Sequence, residues 1–147
     1  MAQQEVLLRP LLSMAIFCEK VLKEADGVLS AIRIIDRINV RGTSDEMPPT
    51  PVHLCLVLAF KSGIMRGPGR VRLSPKSPSA TPMAVVEFPV LFEGDDDRGV
   101  GIVVEMHFAL TEQGLYWFDV VLLDETITRI PLRIVYQKSG SVIPGSS

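Results

Sequence analysis

The chain has 147 residues, of which 47% are apolar, and a formal net charge of −2 at pH 7. That length holds one domain with a real core rather than two, and the apolar share excludes a disordered chain. The near-neutral charge offers no global attraction to nucleic acid or anionic lipid.

Met1 to Glu5 is polar and reads as loose chain. From Leu11 to Cys18 the chain is almost wholly apolar, and Leu12, Met14, Ile16 and Cys18 would form one face of a buried strand. Glu19 to Glu24 is rich in helix formers and allows one short helix over 19–24. Ala25-Asp26-Gly27 breaks the chain, and Val28 to Ile38 follows as a strand with Ile32, Ile34 and Ile38 on one side. A helical hairpin over Leu11 to Ile38 competes, since Leu29, Ile32, Ile35 and Ile38 also fit a spacing of three. The β-branched content and the Asp-Gly tip favour two antiparallel strands.

Arg41 to Pro51 is polar and proline-rich, and suits a chain crossing between two sheets. Val52, Leu54, Leu56, Leu58 and Phe60 then alternate with His53, Cys55, Val57 and Ala59. Lys61 to Gly69 is a turn, Arg70 to Leu73 a short strand near an edge, and Ser74 to Pro82 a loop. Ala84 to Phe92 alternates again, with Pro89 marking an edge or a bulge. After an acidic turn at Glu93 to Arg98, Gly99 to Leu110 gives the longest alternation. Its inward set is Val100, Ile102, Val104, Met106, Phe108 and Leu110.

Leu110 to Tyr136 is a terminal hairpin that turns at Asp124-Glu125. Tyr116, Phe118, Val120 and Leu122 face one way, against Leu115, Trp117, Asp119 and Val121. Leu110, Gly114 and Tyr116 match the tyrosine corner, in which an early strand Tyr bonds back to the preceding loop. The fold class is therefore all-β: an antiparallel two-sheet sandwich of seven to eight strands, immunoglobulin-like, occupying residues 1–138. Residues 139–147 form a flexible tail by composition.

Several stretches together resemble a family of small bacterial proteins described only as a domain of unknown function. They are Cys18-Glu19, Asp26 to Ser30, Ile35 to Ile38, Lys61-Ser62-Gly63, Arg66-Gly67, Gly114 to Val120, and Arg129 to Leu132. The resemblance spans nearly the whole chain and implies a bacterial origin and a compact β domain. It also favours strands over a helical hairpin for Leu11 to Ile38, and it carries over no catalytic residue.

Chemistry is sparse in this sequence. The only histidines, His53 and His107, lie on outward strand faces, and no Gly-x-Ser-x-Gly elbow is present. Glu105 shares a face with His107, but a surface pair without a nucleophile is the plainer reading, so no catalytic residue is assigned. Glu93, Asp95, Asp96 and Asp97 lack a calcium-loop pattern, and no zinc spacing occurs, so neither a metal nor a cofactor is expected. Cys18 and Cys55 lack CxxC spacing. They read as buried free thiols of a reducing cytoplasm, with a core disulfide as the second reading. No run reaches the roughly 18 apolar residues of a membrane span, and Met1 to Glu5 lacks a signal peptide's basic head, which points to the cytoplasm.

Two surfaces stand out. Val103, Leu115, Trp117, Val121 and Val135 point outward, joined by Ala109 and Val57, where an exposed sheet face ordinarily turns polar. That pattern predicts a contact with a protein partner or a second subunit, unless the N-terminal segment covers it. Lys61, Arg66, Arg70, Arg72 and Lys76 form a basic hairpin without acids, which suggests phosphate binding. No aromatic residue stands in that stretch to stack on a base, and the acidic turn offsets its charge. A non-enzymatic interaction or assembly module is the leading expectation, and a ligand or nucleic-acid phosphate binder the second.

Overall fold

The computed structural model describes residues 10–94 and 99–139. Among them run nine strands: β1 (Leu11–Lys23), β2 (Leu29–Ile35), β3 (Arg37–Gly42), β4 (Thr50–Lys61), β5 (Arg66–Lys76), β6 (Val86–Glu93), β7 (Gly99–Leu110), β8 (Gly114–Leu122) and β9 (Glu125–Lys138). They form a four-stranded sheet, β2-β1-β4-β7, and a five-stranded sheet, β3-β9-β8-β5-β6. The all-β, two-sheet architecture is as expected, with nine described strands in place of seven or eight. No described helix is long and apolar enough to cross a membrane. The expected loose Met1 to Glu5 lies outside the described residues, as does all of the tail beyond Ser139.

The core fills the space between the sheets. Phe17, Leu54, Leu56, Leu58 and Phe60 meet Val71, Leu73, Tyr116, Phe118, Leu132 and Ile134. Phe17 sits edge-on to Phe118 with ring centroids 4.9 Å apart, so β1 and β8 are joined across the sandwich. At the β7–β8 corner the Tyr116 hydroxyl donates to the Glu112 carbonyl at 2.8 Å. Gly114 takes a φ of 130°, and a Cβ there would stand 2.9 Å from Pro78.

Several expectations need correction. The sheets are not strictly antiparallel, because β3 runs parallel to β9. Val28 to Ile38 is not one strand. The chain leaves the four-stranded sheet after Ile35 and enters the other at Arg37. Ile38 and Val40 then join the core, and the open side of β9 supplies their ladder. The return from β3 to β4 crosses between the sheets, as the proline-rich composition of 41–51 suggests.

The helix allowed over 19–24 is instead the end of β1. Lys20 to Lys23 pair with Leu29 to Ile32, and a sheet ladder outweighs the weak helical preference of so few residues. Nor do Leu12, Met14, Ile16 and Cys18 share a face. A register shift between Leu12 and Met14 puts Leu12 on the core and the other three outside.

β5 is longer than Arg70–Leu73 and is not an edge: β6 flanks it on one side and β8 on the other. Only Val71 to Leu73 are paired on both sides. Pro68 lies where β6 is the sole partner and Pro75 where β8 is, so both prolines avoid a doubly bonded ladder. Pro89 does mark an edge strand, β6. The last hairpin turns one residue earlier than expected. Leu123 and Asp124 take φ of 54° and 60°, the left-handed pair of a two-residue hairpin turn.

Replacing Tyr116 by Phe removes the corner bond and leaves the Glu112 carbonyl short of a partner. Urea unfolding should show a loss of about 1–2 kcal/mol; unchanged stability would mean the corner is held by packing alone.

Candidate functional site

The outer face of the five-stranded sheet gathers residues that lie far apart in sequence. Burying Tyr116, Phe118 and Val120 turns Leu115, Trp117 and Asp119 outward on β8, whereas Val121, just past a register shift, is itself buried. Registration places Lys76 of β5 and Pro131 of β9 on either side of Trp117. Arg133 stands beside Leu115, and Arg37 of β3 beside Arg133. Arg72 lies beside Val121, with Glu87 of β6 beyond it.

Trp117 remains 36% exposed, and the Arg129 guanidinium lies 5.7 Å from its ring centroid. Asp119 holds this arrangement in place. It accepts from Arg129 Nε at 2.8 Å and stands 3.7 Å from Lys76 Nζ, while itself largely covered. Glu87 does the same for Arg70 and Arg72, at 3.5 and 4.0 Å. Those two arginines, Glu87, Val121, Leu123 and Asp124 line a cavity of about 240 Å³ open to solvent.

The outward-facing cations are Arg37, Arg41, Arg70, Arg72, Lys76, Arg129 and Arg133, against Asp119 and Glu87 on the face and Asp36, Glu93 and Asp124 at its margins. Cations outnumber carboxylates on this face, on a chain whose net charge is −2. Leu115, Trp117, Val121 and Val135 of the expected apolar patch lie here. So do Arg70, Arg72 and Lys76 of the expected basic hairpin, with Arg66 at the far end of β5. The two candidate surfaces are largely one.

Val103 does not belong to it. Together with Val57 and Ala109 it lies on the four-stranded sheet, facing the other way. Lys61 is also elsewhere, paired with Gly99 at the end of β4. Arg37, Arg129 and Arg133 went unrecognised because they occur singly in apolar strands. Only their shared parity with Trp117 could have grouped them.

The N-terminal segment covers a face, though not the one around Trp117. Beyond the Cys18–Cys55 pair, β1 leaves β4 and continues with β2 alone. Val21 and Ala31 of this ribbon pack on Cys18, Cys55 and Val57, and Leu29 reaches Gly101 on β7. Opposite Glu19 the ribbon bends at Arg33, whose φ is 57° and whose Nε lies 2.9 Å from Glu19.

Near this ribbon stands a constellation that superficially resembles a nucleophilic site. His53 and His107 stack at 4.2 Å, His53 lies 3.6 Å from Glu105, and Cys55 is paired with Glu105 across the ladder. Cys18 and Cys55 are both free thiols. Burial pushes the Cys55 thiol up, and the Glu105 carboxylate pushes it further; burial and then Cys55 do the same for Cys18. Thiolate formation is disfavoured here, the reverse of what activates a cysteine nucleophile. Among the described residues no cluster of His, Cys, Asp or Glu could hold a metal ion. Glu93 closes β6, while Asp95, Asp96 and Asp97 lie outside the described residues.

Fold and face together define a two-sheet β protein with one cationic, tryptophan-bearing surface. The chain belongs to a family of unknown function, DUF6941, which matches residues 13–135. No curated protein matches it.

Both thiols should react with iodoacetamide more slowly in the native protein than in urea at neutral pH, and the native rate should climb only as pH rises well above neutrality. Mass spectrometry of quenched samples reads this directly. Native rates equal to the unfolded ones would show that the β1–β2 ribbon does not cover the cysteines.

Proposed function

We propose that the protein is a non-enzymatic interaction module of a bacterial cytoplasmic system, and that it works through the outer face of the five-stranded sheet on a protein partner presenting acidic side chains. The observation carrying this reading is the convergence of Trp117, Leu115 and Val135 with Arg72, Lys76, Arg129 and Arg133 on one surface. Trp and Arg are the residue types that dominate binding energy at protein interfaces. Asp119 and Glu87 hold the cations in position, which lowers the entropy lost on binding. Two buried free thiols fit a reducing compartment. The immunoglobulin-like reading of the fold draws support from the Tyr116 corner and from the neighbouring β9-β8-β5-β6, the order of the sheet that carries the terminal hairpin in variable-type domains.

One observation favours a second reading, phosphate binding to single-stranded nucleic acid. Lys76 stands directly beside Trp117, so the aromatic platform missing from residues 61–76 is supplied by the neighbouring strand.

Trp117 is the only tryptophan, so its fluorescence reports on this face alone. Titration with an oligoglutamate peptide should change the emission, and the change should fade as salt is raised. Trp117→Phe with Arg129→Glu should weaken peptide binding, read by calorimetry, by about tenfold or more, while Val103→Glu on the opposite sheet should not. Tighter, salt-sensitive binding of an oligothymidylate would move the assignment to nucleic acid. Silence toward both probes would remove this face from the function.

A further inference from the structure

The edges of the two sheets are not equally protected. A free strand edge invites pairing with another chain, and proteins blunt it with proline, lysine, bulges or short strands. β6 carries Pro89, β2 is interrupted by the left-handed Arg33, and β3 has only six residues. β7 has none of these devices. It runs for twelve residues without Pro or Lys, in unbroken register with β4 from Gly99 to Leu110, and among the described residues no strand pairs with its other side.

We infer that β7 of one copy pairs antiparallel with β7 of a second copy about a two-fold axis through Met106, joining the two four-stranded sheets into one of eight. The charge pattern of β7 selects this occupant and this register. Glu105 is the only charged residue of the strand, and His107 is its only imidazole. Centring the pair on Met106 sets each Glu105 opposite the His107 of the other copy, twice over, so that an imidazole N–H donates to a carboxylate. Centring it on Glu105 would oppose two carboxylates, which is unfavourable. In the favoured register Val103 meets Ala109 on the outer face, while Val104 meets Phe108 and Ile102 meets Leu110 on the inner one. The surroundings suit a partner here. Beside the edge lies a cavity of about 270 Å³, between Met83, Ala84 and Val86 on one side and Glu105 to Phe108 of β7 on the other, with Phe118 at its floor. Val85 and Val86 at its rim are 53% and 39% exposed. A second copy would bring an apolar rim against an apolar rim, with the two Met106 side chains meeting over the axis.

Sedimentation velocity on the full chain tests the pairing. Wild type should sediment as a dimer. His107→Glu, which opposes carboxylates at both ends of the contact, should raise the dimer Kd by about tenfold or more. Glu105→Lys with His107→Glu restores opposite charges in the same register and should return the Kd to near the wild-type value. That rescue belongs to this register, and circular dichroism would confirm that each variant keeps its strands. A wild-type monomer at every concentration reached would overturn the pairing, as would a double variant as weak as His107→Glu. A dimer abolished by Trp117→Glu would also overturn it, because that residue lies on the opposite sheet, and this outcome would leave the interaction reading of the Trp117 face standing.

Discussion

The contact of Phe17 with Phe118 is the constraint from which the rest of the molecule follows. The two rings meet edge to face across the sandwich, one from β1 and one from β8, and both are sealed from solvent. Side chains on a strand alternate, so placing Phe118 inside forces Trp117 and Asp119 outside. A slip of one residue would exchange the faces, burying Asp119 and exposing Phe118 and Tyr116. The Tyr116 hydroxyl, bonded to the Glu112 carbonyl, fixes the local corner from which β8 starts. The orientation of the candidate surface is thus a by-product of core packing.

That surface illustrates how little net charge says about local charge. The chain is slightly acidic overall, yet on the outer face of the five-stranded sheet cations from β3, β9 and β5 surround β8, whose one charge is Asp119. Its ion pairs are exposed and each adds little stability. Their effect is positional: Asp119 draws Arg129 and Lys76 toward Trp117, and Glu87 holds Arg70 near Arg72. The opposite sheet is treated differently. There the β1–β2 ribbon bends over Cys18, Cys55 and Val57 and removes apolar surface that the alternation leaves outside. The left-handed Arg33 at the bend is a small local strain set against that burial.

Much of the architecture was legible in the chain. Alternation between Val52 and Leu122 identified the inward sets of β4, β7 and β8, because a period of two survives any arrangement of neighbours. The tyrosine, the glycine before it and the prolines carried local geometry that needs no long-range partner. Three features were not legible. The bulge after Leu12 reverses the parity of β1 without leaving a compositional mark. The passage from β2 to β3 at Asp36 occurs within a run that reads as one apolar strand. The length of β5 was hidden by prolines, whose tolerance depends on which neighbour each faces.

The candidate site shows the same division. Residue types alone determined that this is a β protein with an outward tryptophan, a basic segment and two cysteines within apolar runs. Whether that tryptophan and those basic residues share a surface depended on strand order, which is a choice among pairings of similar local energy. Only the tertiary structure seated β5 against β8, set Lys76 beside Trp117, and turned Val103 to the far side. The physical reason is that a strand's own sequence specifies which of its side chains face inward, whereas its neighbours are chosen by the packing of the whole core.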